Sequence, residues 1–112
     1  MANVLNANRV MFLDDRTVQY RFEVYGLEQR PSLKNVVYAF VANGSEPIKY
    51  IGKANDLAIR LSSHDKLVPA IMLGATELWV HVPGPTDRIG HEEAEERLIR
   101  SYSPPLNKMF AG

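Results

Sequence analysis

Apolar and polar residues alternate along the segment between Thr17 and Tyr25. The apolar positions are Val18, Tyr20, Phe22 and Val24, and the polar positions between them are Gln19, Arg21 and Glu23. A period of two residues is typical of a β-strand with one buried face. The apolar residues 10–13 precede this segment across residues 14–16, which are polar and common in turns, so we predict a β-hairpin over residues 9–27.

The most apolar run of the chain covers residues 35–42 and is followed by the polar loop 43–47. A short continuous apolar run that ends in turn residues is typical of a strand buried on both faces. We predict residues 48–52 as its hairpin partner. Residues 76–82 alternate again and stop at a Pro-Gly-Pro sequence, which predicts a third core strand. Residues 26–34 form the connector between the N-terminal hairpin and these three strands.

Three helices are predicted around these strands. They cover about 55–64 with Asn55 as the N-cap, 69–73 ending before Gly74, and a longer segment to about Tyr102 with Thr86 or Asp87 as the N-cap. Strands and helices do not alternate regularly along the chain. We therefore predict an α+β fold, in which a small three-stranded antiparallel or mixed sheet is flanked by helices and carries an added N-terminal β-hairpin.

The composition is that of one globular domain. The chain has 112 residues, of which 46% are hydrophobic and 23% charged. We assign residues 1–34 to the hairpin and connector and residues 35–112 to the core. No apolar run approaches the roughly 20 residues that cross a membrane, and the N-terminus lacks the apolar region of a secretion signal. Together with the absence of cysteine, this predicts a cytoplasmic protein without disulfides or thiolate metal sites.

The formal net charge is zero, because 13 basic residues balance 13 acidic ones. This balance argues against a protein that simply coats nucleic acid. It conceals a separation, however: residues 49–75 carry four basic and two acidic side chains, whereas residues 76–112 carry four basic and six acidic ones. Any nonspecific affinity for nucleic acid is therefore expected to be weak and sensitive to salt.

The last predicted helix directs one carboxylate towards the core. At 100° per residue, the buried stripe consists of Ala94, Leu98, Ile99 and Tyr102. Glu95 and His91 fall inside this stripe. Glu93 and Glu96 fall outside it, as do Arg97 and Arg100. A buried carboxylate is costly unless it has a cationic partner, a metal ion or a raised pKa. Periodicity alone leaves two kinds of role equally open for Glu95. It could be structural, as a salt-bridge partner or a polar residue at the edge of the stripe, or it could be a functional carboxylate.

Arg60 and His64 are four residues apart and flank the apolar stripe of the first predicted helix. An arginine at such an edge commonly extends its charged head into solvent. It could instead neutralise a phosphoryl transition state beside a metal-bound carboxylate. His64 could be a metal ligand or a proton carrier, or it could cap carbonyl groups at the helix end.

Taken in chain order, these residues resemble the GIY-YIG nuclease domain. Residues 36–38 (VVY) resemble its first tripeptide, and residues 50–52 (YIG) match its second after 11 intervening residues. The other matching positions are Lys53, Leu57-x-x-Arg60-Leu61-x-x-His64, Gly74-Ala75 before Trp79, Glu95-x-x-Leu98-Ile99, and Pro105-Leu106-Asn107. The resemblance runs from Val36 to Asn107, which is 72 of the 112 residues. It departs from the family at Val36, where the motif has glycine, and it does not include residues 1–35.

This resemblance implies a metal-dependent endonuclease that hydrolyses DNA phosphodiester bonds with one Mg²⁺ or Mn²⁺ ion. It implies that Glu95 is the protein carboxylate on the metal and that Arg60 stabilises the pentavalent transition state. Tyr38 and Tyr50 would line the site, and one of them would activate or position the attacking water. Because the tyrosine pKa lies near 10, nearby cations would have to lower it.

Four more positions complete the implied site. Lys53 and His64 would assist the proton transfer, Gly52 would support the site, and Asn107 would tie the end of the chain to it by hydrogen bonds.

The DNA could be branched or single-stranded. One alternative is a nucleic-acid-binding or protein-interaction module on the same scaffold, without significant cleavage. Another is a structural subunit that forms a homodimer, or binds a partner protein, through the N-terminal hairpin.

Overall fold

The computed structural model describes residues 4–13, 18–43, 47–84 and 88–108, with residues 4–13 and 108 described as backbone only. Within them the chain forms an α+β fold, as predicted. The strands are β1 (Val4–Leu13), β2 (Gln19–Gly26), β3 (Lys34–Ala42), β4 (Ile48–Asp56) and β5 (Ala75–His81). The helices are α1 (Leu57–Ser62), α2 (Leu67–Met72), α3 (His91–Tyr102) and α4 (Pro105–Lys108). None of the described helices combines the length and apolar character needed to cross a bilayer.

The strands form one five-stranded sheet in the order β1-β2-β5-β3-β4, with antiparallel pairing throughout. The hairpin predicted at the N-terminus is present, although its turn at residues 14–16 lies outside the described residues. The predicted three-stranded sheet is wrong in its count, because β2 pairs with β5 from Glu23↔Val80 to Gly26↔Glu77 and joins the hairpin to the core. Periodicity indicates which face of a strand is buried, but it carries no information about which strands are neighbours.

The two faces of β3 carry separate clusters of buried side chains, which explains its continuous apolar sequence. Val36, Tyr38 and Phe40 pack with residues of α1 and α2, and we call this side of the sheet the α1 face. Val37, Ala39 and Val41 pack with α3 on the opposite side, which we call the α3 face. Side chains on opposite faces of the sheet can come close only around one of its edges.

The first helix is shorter than predicted. Its N-cap is Asp56, whose carboxylate accepts a hydrogen bond from the backbone N–H of Ile59 at 3.2 Å. Asn55 is not the cap, because β4 continues to Asp56 and the side chain of Asn55 lies 3.2 Å from His91 Nε2. The helix ends at Ser62, so His64 lies in the connection to α2 rather than on the helix.

Helix α2 begins two residues earlier than predicted and holds Pro69 within its first turn, where proline is tolerated. It ends before Gly74, as predicted, and Gly74 adopts a φ of 99° that favours glycine. Helix α3 begins at His91 with Gly90 as its N-cap, so residues 88–90 are not helical. The proposed caps Thr86 and Asp87 lie outside the described residues. Helix α4 was not predicted, although proline suits its first position.

The buried stripe of α3 is displaced from the predicted one. Ala94 and Leu98 are fully buried, as expected, but Tyr102 is 40% exposed. Arg97 is buried instead, and its guanidinium donates to Glu93 at 2.8 Å. The helix contacts the sheet along the line from Ala94 to Arg97 and Leu98, so the centre of its buried side is rotated towards Arg97. Glu95 consequently lies at the margin of that side and is half-buried.

Candidate active site

Tyr38 and Tyr50 lie diagonally across the hairpin formed by β3 and β4, on the α1 face. The register of β3 and β4 pairs Tyr38 with Gly52 and Phe40 with Tyr50. The two tyrosine rings are 6.2 Å apart between centroids. A Cβ at Gly52 would lie 2.6 Å from Tyr38 Cζ and 2.8 Å from Tyr50 Cε2. Position 52 therefore requires glycine because both tyrosine rings occupy the space of a side chain.

The imidazole of His64 is enclosed by aromatic rings. Its centroid is 5.5 Å from Tyr38, 5.0 Å from Phe40 and 5.2 Å from Tyr50, and it meets each ring edge-on. Its Nε2 lies 2.5 Å from the Tyr38 hydroxyl, and its Nδ1 accepts the backbone N–H of Lys66 at 3.0 Å. The side chain has no exposed surface. Neither Phe40 nor the Lys66 N–H was predicted as part of the site, although Phe40 shares the alternation of Tyr38 on β3.

Burial, reinforced by the positive charges of Arg60 and Lys66, lowers the pKa of His64 to about 4. The carboxylate of Asp65 acts in the opposite direction but does not outweigh them. His64 is therefore neutral at pH 7, and it makes its hydrogen bonds to Tyr38 and Lys66 as an uncharged imidazole.

Arg60 lies in the last turn of α1, and its positive charge acts on both tyrosines. Its side chain is 37% exposed, and it lies 3.5 Å from Asp65 Oδ1. Burial raises the pKa of both Tyr38 and Tyr50, and the charge of Arg60 acts against burial in both. The expectation that nearby cations lower the tyrosine pKa is thus met only in the sign of the Arg60 effect, because desolvation is stronger.

Glu95 lies on α3, which packs on the other face of the sheet. Its charge contributes to the raised pKa of both Tyr38 and Tyr50. Burial raises the pKa of Glu95 itself; Lys53 opposes this effect, while Glu96 and Glu92 add to it. Within the described part of the chain, this carboxylate makes no hydrogen bond or ion pair, so it is a half-buried acceptor open to a cation.

Lys53 lies next to Gly52 in β4 but points to the α3 side, because successive strand residues alternate between faces. Its Nζ is 3.7 Å from Glu92 Oε2, and its side chain is 44% exposed. It therefore lies beside the carboxylates of α3 rather than beside the tyrosines.

Asn107 holds α4 against the outer edge of β4. Its Oδ1 accepts the Ile51 N–H and its Nδ2 donates to the Ile51 carbonyl, both at 2.9 Å. Strand β4 is at the end of the sheet, so this side-chain amide occupies the place of a missing neighbouring strand. The contact fastens the backbone midway between Tyr50 and Gly52.

The donors suit one hard divalent cation rather than a cage built by the protein. Among the described residues, no group of three or more His, Cys, Asp or Glu side chains could hold a metal. Mg²⁺ is commonly held by one or two carboxylates, with water and substrate phosphates completing its coordination. Glu95, half-buried and unpaired, fits that role.

We expect the protein to lose stability in acid because His64 is held neutral. Its pKa falls from 6.5 to about 4 on folding, so the folded state binds fewer protons below pH 6.5. The free energy of unfolding therefore keeps its full value above pH 6.5. It decreases as the pH falls from 6.5 through 4, by about 3 kcal/mol in total. Urea unfolding at pH 7, 5.5 and 4 measures this loss. His64→Gln should flatten the dependence between pH 7 and 4, and an equal slope in both proteins would contradict the assignment.

Comparisons with family models, with curated proteins and with solved structures found no match to this chain. Its function therefore has to follow from the chemistry of the site.

Proposed function

We propose that this protein is a metal-dependent endonuclease of the GIY-YIG type, which hydrolyses phosphodiester bonds in DNA. One observation carries the proposal: a half-buried carboxylate that makes no hydrogen bond or ion pair among the described residues acts electrostatically on the same two tyrosines as a partly exposed arginine. Metal-dependent hydrolysis of a phosphodiester uses a positioned water, neutralisation of the developing charge and a site for the cation. The residues are Tyr38 and Tyr50 for the water, Arg60 for the charge and Glu95 for the cation.

Each side chain has a distinct task in this mechanism. Glu95 would hold one Mg²⁺ or Mn²⁺ ion, which when bound would supply Lewis-acid polarisation of the scissile phosphate. Arg60 is exposed enough to contact a phosphate and would neutralise charge that develops in the transition state. Tyr50, which is half-buried, would position the attacking water. Gly52 and Asn107 would keep β4 in place beneath these groups.

The contacts of His64 support a part in proton transfer better than those of Lys53 do. His64 touches Tyr38 directly, whereas Lys53 lies beside Glu92. Lys53 would therefore act through the charges around Glu95 and not on a tyrosine. The excess of basic residues in positions 49–75 suits brief contact with a few phosphates. A branched or single-stranded substrate stays a prediction. Strand β1 is at the edge of the sheet, so a homodimer or a partner protein at the hairpin stays a prediction.

The test is incubation of the full chain with supercoiled plasmid, branched DNA and single-stranded DNA in Mg²⁺, in Mn²⁺ and in EDTA. We expect cleavage of at least one substrate, its loss in EDTA, and a decrease of about 10²-fold or more in Arg60→Ala. Ser62→Ala, an exposed change on the same helix, is the control and should cleave normally. Cleavage that persists in EDTA would contradict the proposal. DNA binding without any cleavage would favour the binding module.

A further inference from the structure

An open cavity of about 270 Å³ lies on the α3 face, where β2 begins, β5 ends and the chain enters α3. The described residues that line it are Val18, Gln19, Tyr20, His81, Arg88 and Ile89. Val18, Tyr20 and Ile89 form apolar walls that belong to the buried cluster of this face or pack against it. A cavity of about 150 Å³ holds a benzene molecule, so this one has room for a compound of two fused rings.

His81 contributes a fixed imidazole ring to this cavity. The residue is 9% exposed, and its ring centroid lies 5.3 Å from that of Tyr20 and 5.6 Å from that of Phe22. Its Nδ1 is 3.0 Å from the carbonyl oxygen of Arg21. Because a carbonyl oxygen can only accept, Nδ1 carries a proton and donates it to this hydrogen bond. In the neutral imidazole the lone pair is therefore on Nε2.

The Nε2 atom of His81 is accessible although the ring is almost enclosed. Within the described part of the chain this atom has no hydrogen-bond partner. No side-chain nitrogen or oxygen of the described residues is both fully buried and without a partner, so Nε2 keeps some exposed surface. Since His81 lines the cavity, a molecule inside can donate an N–H to the Nε2 lone pair.

Arg88 supplies a positive charge at the exposed end of the cavity. Its guanidinium is charged at any physiological pH, and it binds carboxylate and phosphate oxygens through paired hydrogen bonds. The cavity therefore suits a ligand with an apolar ring system, an N–H donor on that ring and an anionic group attached to it. A nucleotide combines these three features.

The cavity shares a face of the sheet with Lys53. His81 pairs with Val37, and Val37 pairs with Lys53 on the next strand. Paired residues point to the same face and adjacent strands are about 4.8 Å apart, so the backbones at His81 and Lys53 are about 10 Å apart. A phosphate chain that passes Lys53 is thus within a nucleotide's length of the cavity.

We infer that this cavity binds one nucleotide, whose base lies between the apolar walls and donates an N–H to His81 Nε2 and whose phosphate contacts Arg88. The volume favours a purine over a pyrimidine. The inference goes beyond the proposed function, because it involves neither the tyrosines nor the cation and requires no cleavage. A free nucleotide and an unstacked unit of a DNA strand carry the same recognised groups.

The first test is calorimetric titration of the full chain in EDTA at pH 8, where imidazole is ordinarily neutral. We expect guanosine monophosphate to bind with a Kd below about 1 mM, and uridine monophosphate and guanosine to bind about 10-fold more weakly. Ribose 5-phosphate should bind more weakly still, since it has no base. No binding of guanosine monophosphate up to about 10 mM, or equal binding of ribose 5-phosphate, would overturn the inference.

A pair of substitutions at His81 tests the Nε2 contact. His81→Asn keeps an N–H near the position of Nδ1 but has no atom at Nε2, so it should weaken binding of guanosine monophosphate about 10-fold or more. His81→Gln places its amide near the position of Nε2 and should stay within a few-fold of wild type. Unchanged binding by His81→Asn would overturn the inference.

Long-range ¹H–¹⁵N spectra of the wild-type protein test the same contact without a substitution. We expect a proton on Nδ1 of His81 and a shift of the Nε2 signal when guanosine monophosphate is added. An Nε2 signal that stays in place at saturation would overturn the inference.

Arg88→Gln tests the phosphate contact. It should lower the affinity for guanosine monophosphate about 10-fold and leave that for guanosine unchanged. Arg30→Gln removes the same charge at another exposed position and is the matched control, which should bind as wild type. An equal loss in both variants would show attraction by net charge alone and would contradict the contact with Arg88.

The source of the nucleotide is found with thymidine oligonucleotides in EDTA, with and without one guanosine. A shift of His81 Nε2 by the guanosine-containing strand alone identifies a unit of DNA as the ligand, whereas a shift by free guanosine monophosphate alone identifies the free nucleotide, and both support the inference. Binding of guanosine monophosphate without cleavage of any DNA would remove only the proposed function. Cleavage without such binding would remove only this inference.

Discussion

Replacing Glu95 with Gln is expected to lower DNA cleavage by about 10³-fold or more without weakening the fold. Glu95 is the only carboxylate that we assign to the cation, and Lewis-acid stabilisation of a phosphoryl transition state is worth several kcal/mol. The amide keeps the shape of the side chain but is a weak ligand for Mg²⁺. Cleavage rates in Mg²⁺ and in Mn²⁺, together with Mn²⁺ binding measured by calorimetry, provide the measurement.

The same substitution should not lower the stability of the folded protein. Burial raises the pKa of Glu95, with Glu96 and Glu92 adding to the effect of burial, so its ionised form destabilises the folded state above that pKa. Removing the charge should leave the melting temperature at pH 7 unchanged or higher. Glu96→Gln, at an exposed position of the same helix, is the matched control and should retain cleavage. The assignment fails if Glu95→Gln keeps EDTA-sensitive cleavage, or if its lost activity is accompanied by a lowered melting temperature.

Gly52→Ala is expected to damage both the fold and the site. The added methyl group would lie 2.6 Å from Tyr38 Cζ and hydroxyl oxygen and 2.8 Å from Tyr50 Cε2, closer than carbon atoms in proteins approach. Tyr38 is fully buried and cannot swing out, so the strain has to be taken up by the sheet or by Tyr50. Overpacking of this kind costs about 1–3 kcal/mol, and displacement of Tyr50 should remove most cleavage.

Gly90→Ala is the matched control for this substitution. No atom lies within 4 Å of a Cβ at Gly90, and its φ of −79° suits any residue. The change should cost about 0.5 kcal/mol, from the poorer N-cap alone. Urea unfolding compares the two variants. Equal stability of Gly52→Ala and Gly90→Ala would show that the tyrosine rings can yield, and would contradict the close packing at Gly52.

The strands were easier to predict than the helices. Alternation in β2 and the continuous apolar run in β3 reflect burial of one face or two, and burial depends on side-chain type at each position. The start of α1 was harder, because Asn55 and Asp56 can both be the N-cap of a helix. Only the pairing of β4 with β3 as far as Lys34↔Asp56 decides between them, since it keeps Asn55 in the strand.

The same contrast applies to the site. The resemblance of the ordered motifs to those of the GIY-YIG family was what grouped Tyr38, Tyr50, Arg60 and Glu95 as one proposed site. The wheel of α3 placed Arg97 outside the buried stripe and Tyr102 inside it, and both placements are wrong. A helical wheel has the correct period, but its rotation is set by the sheet against which the helix packs.

The sequence by itself determined the α+β composition, the two buried faces of β3 and the set of polar residues available for chemistry, because these depend on residue type and spacing. The tertiary structure alone decided that the hairpin joins the core sheet through β2 and β5, that Lys53 faces α3 and that His64 is held by Lys66 and Tyr38. These features depend on contacts between residues distant in sequence or on the direction of one hydrogen bond. Neither leaves a periodic pattern along the chain.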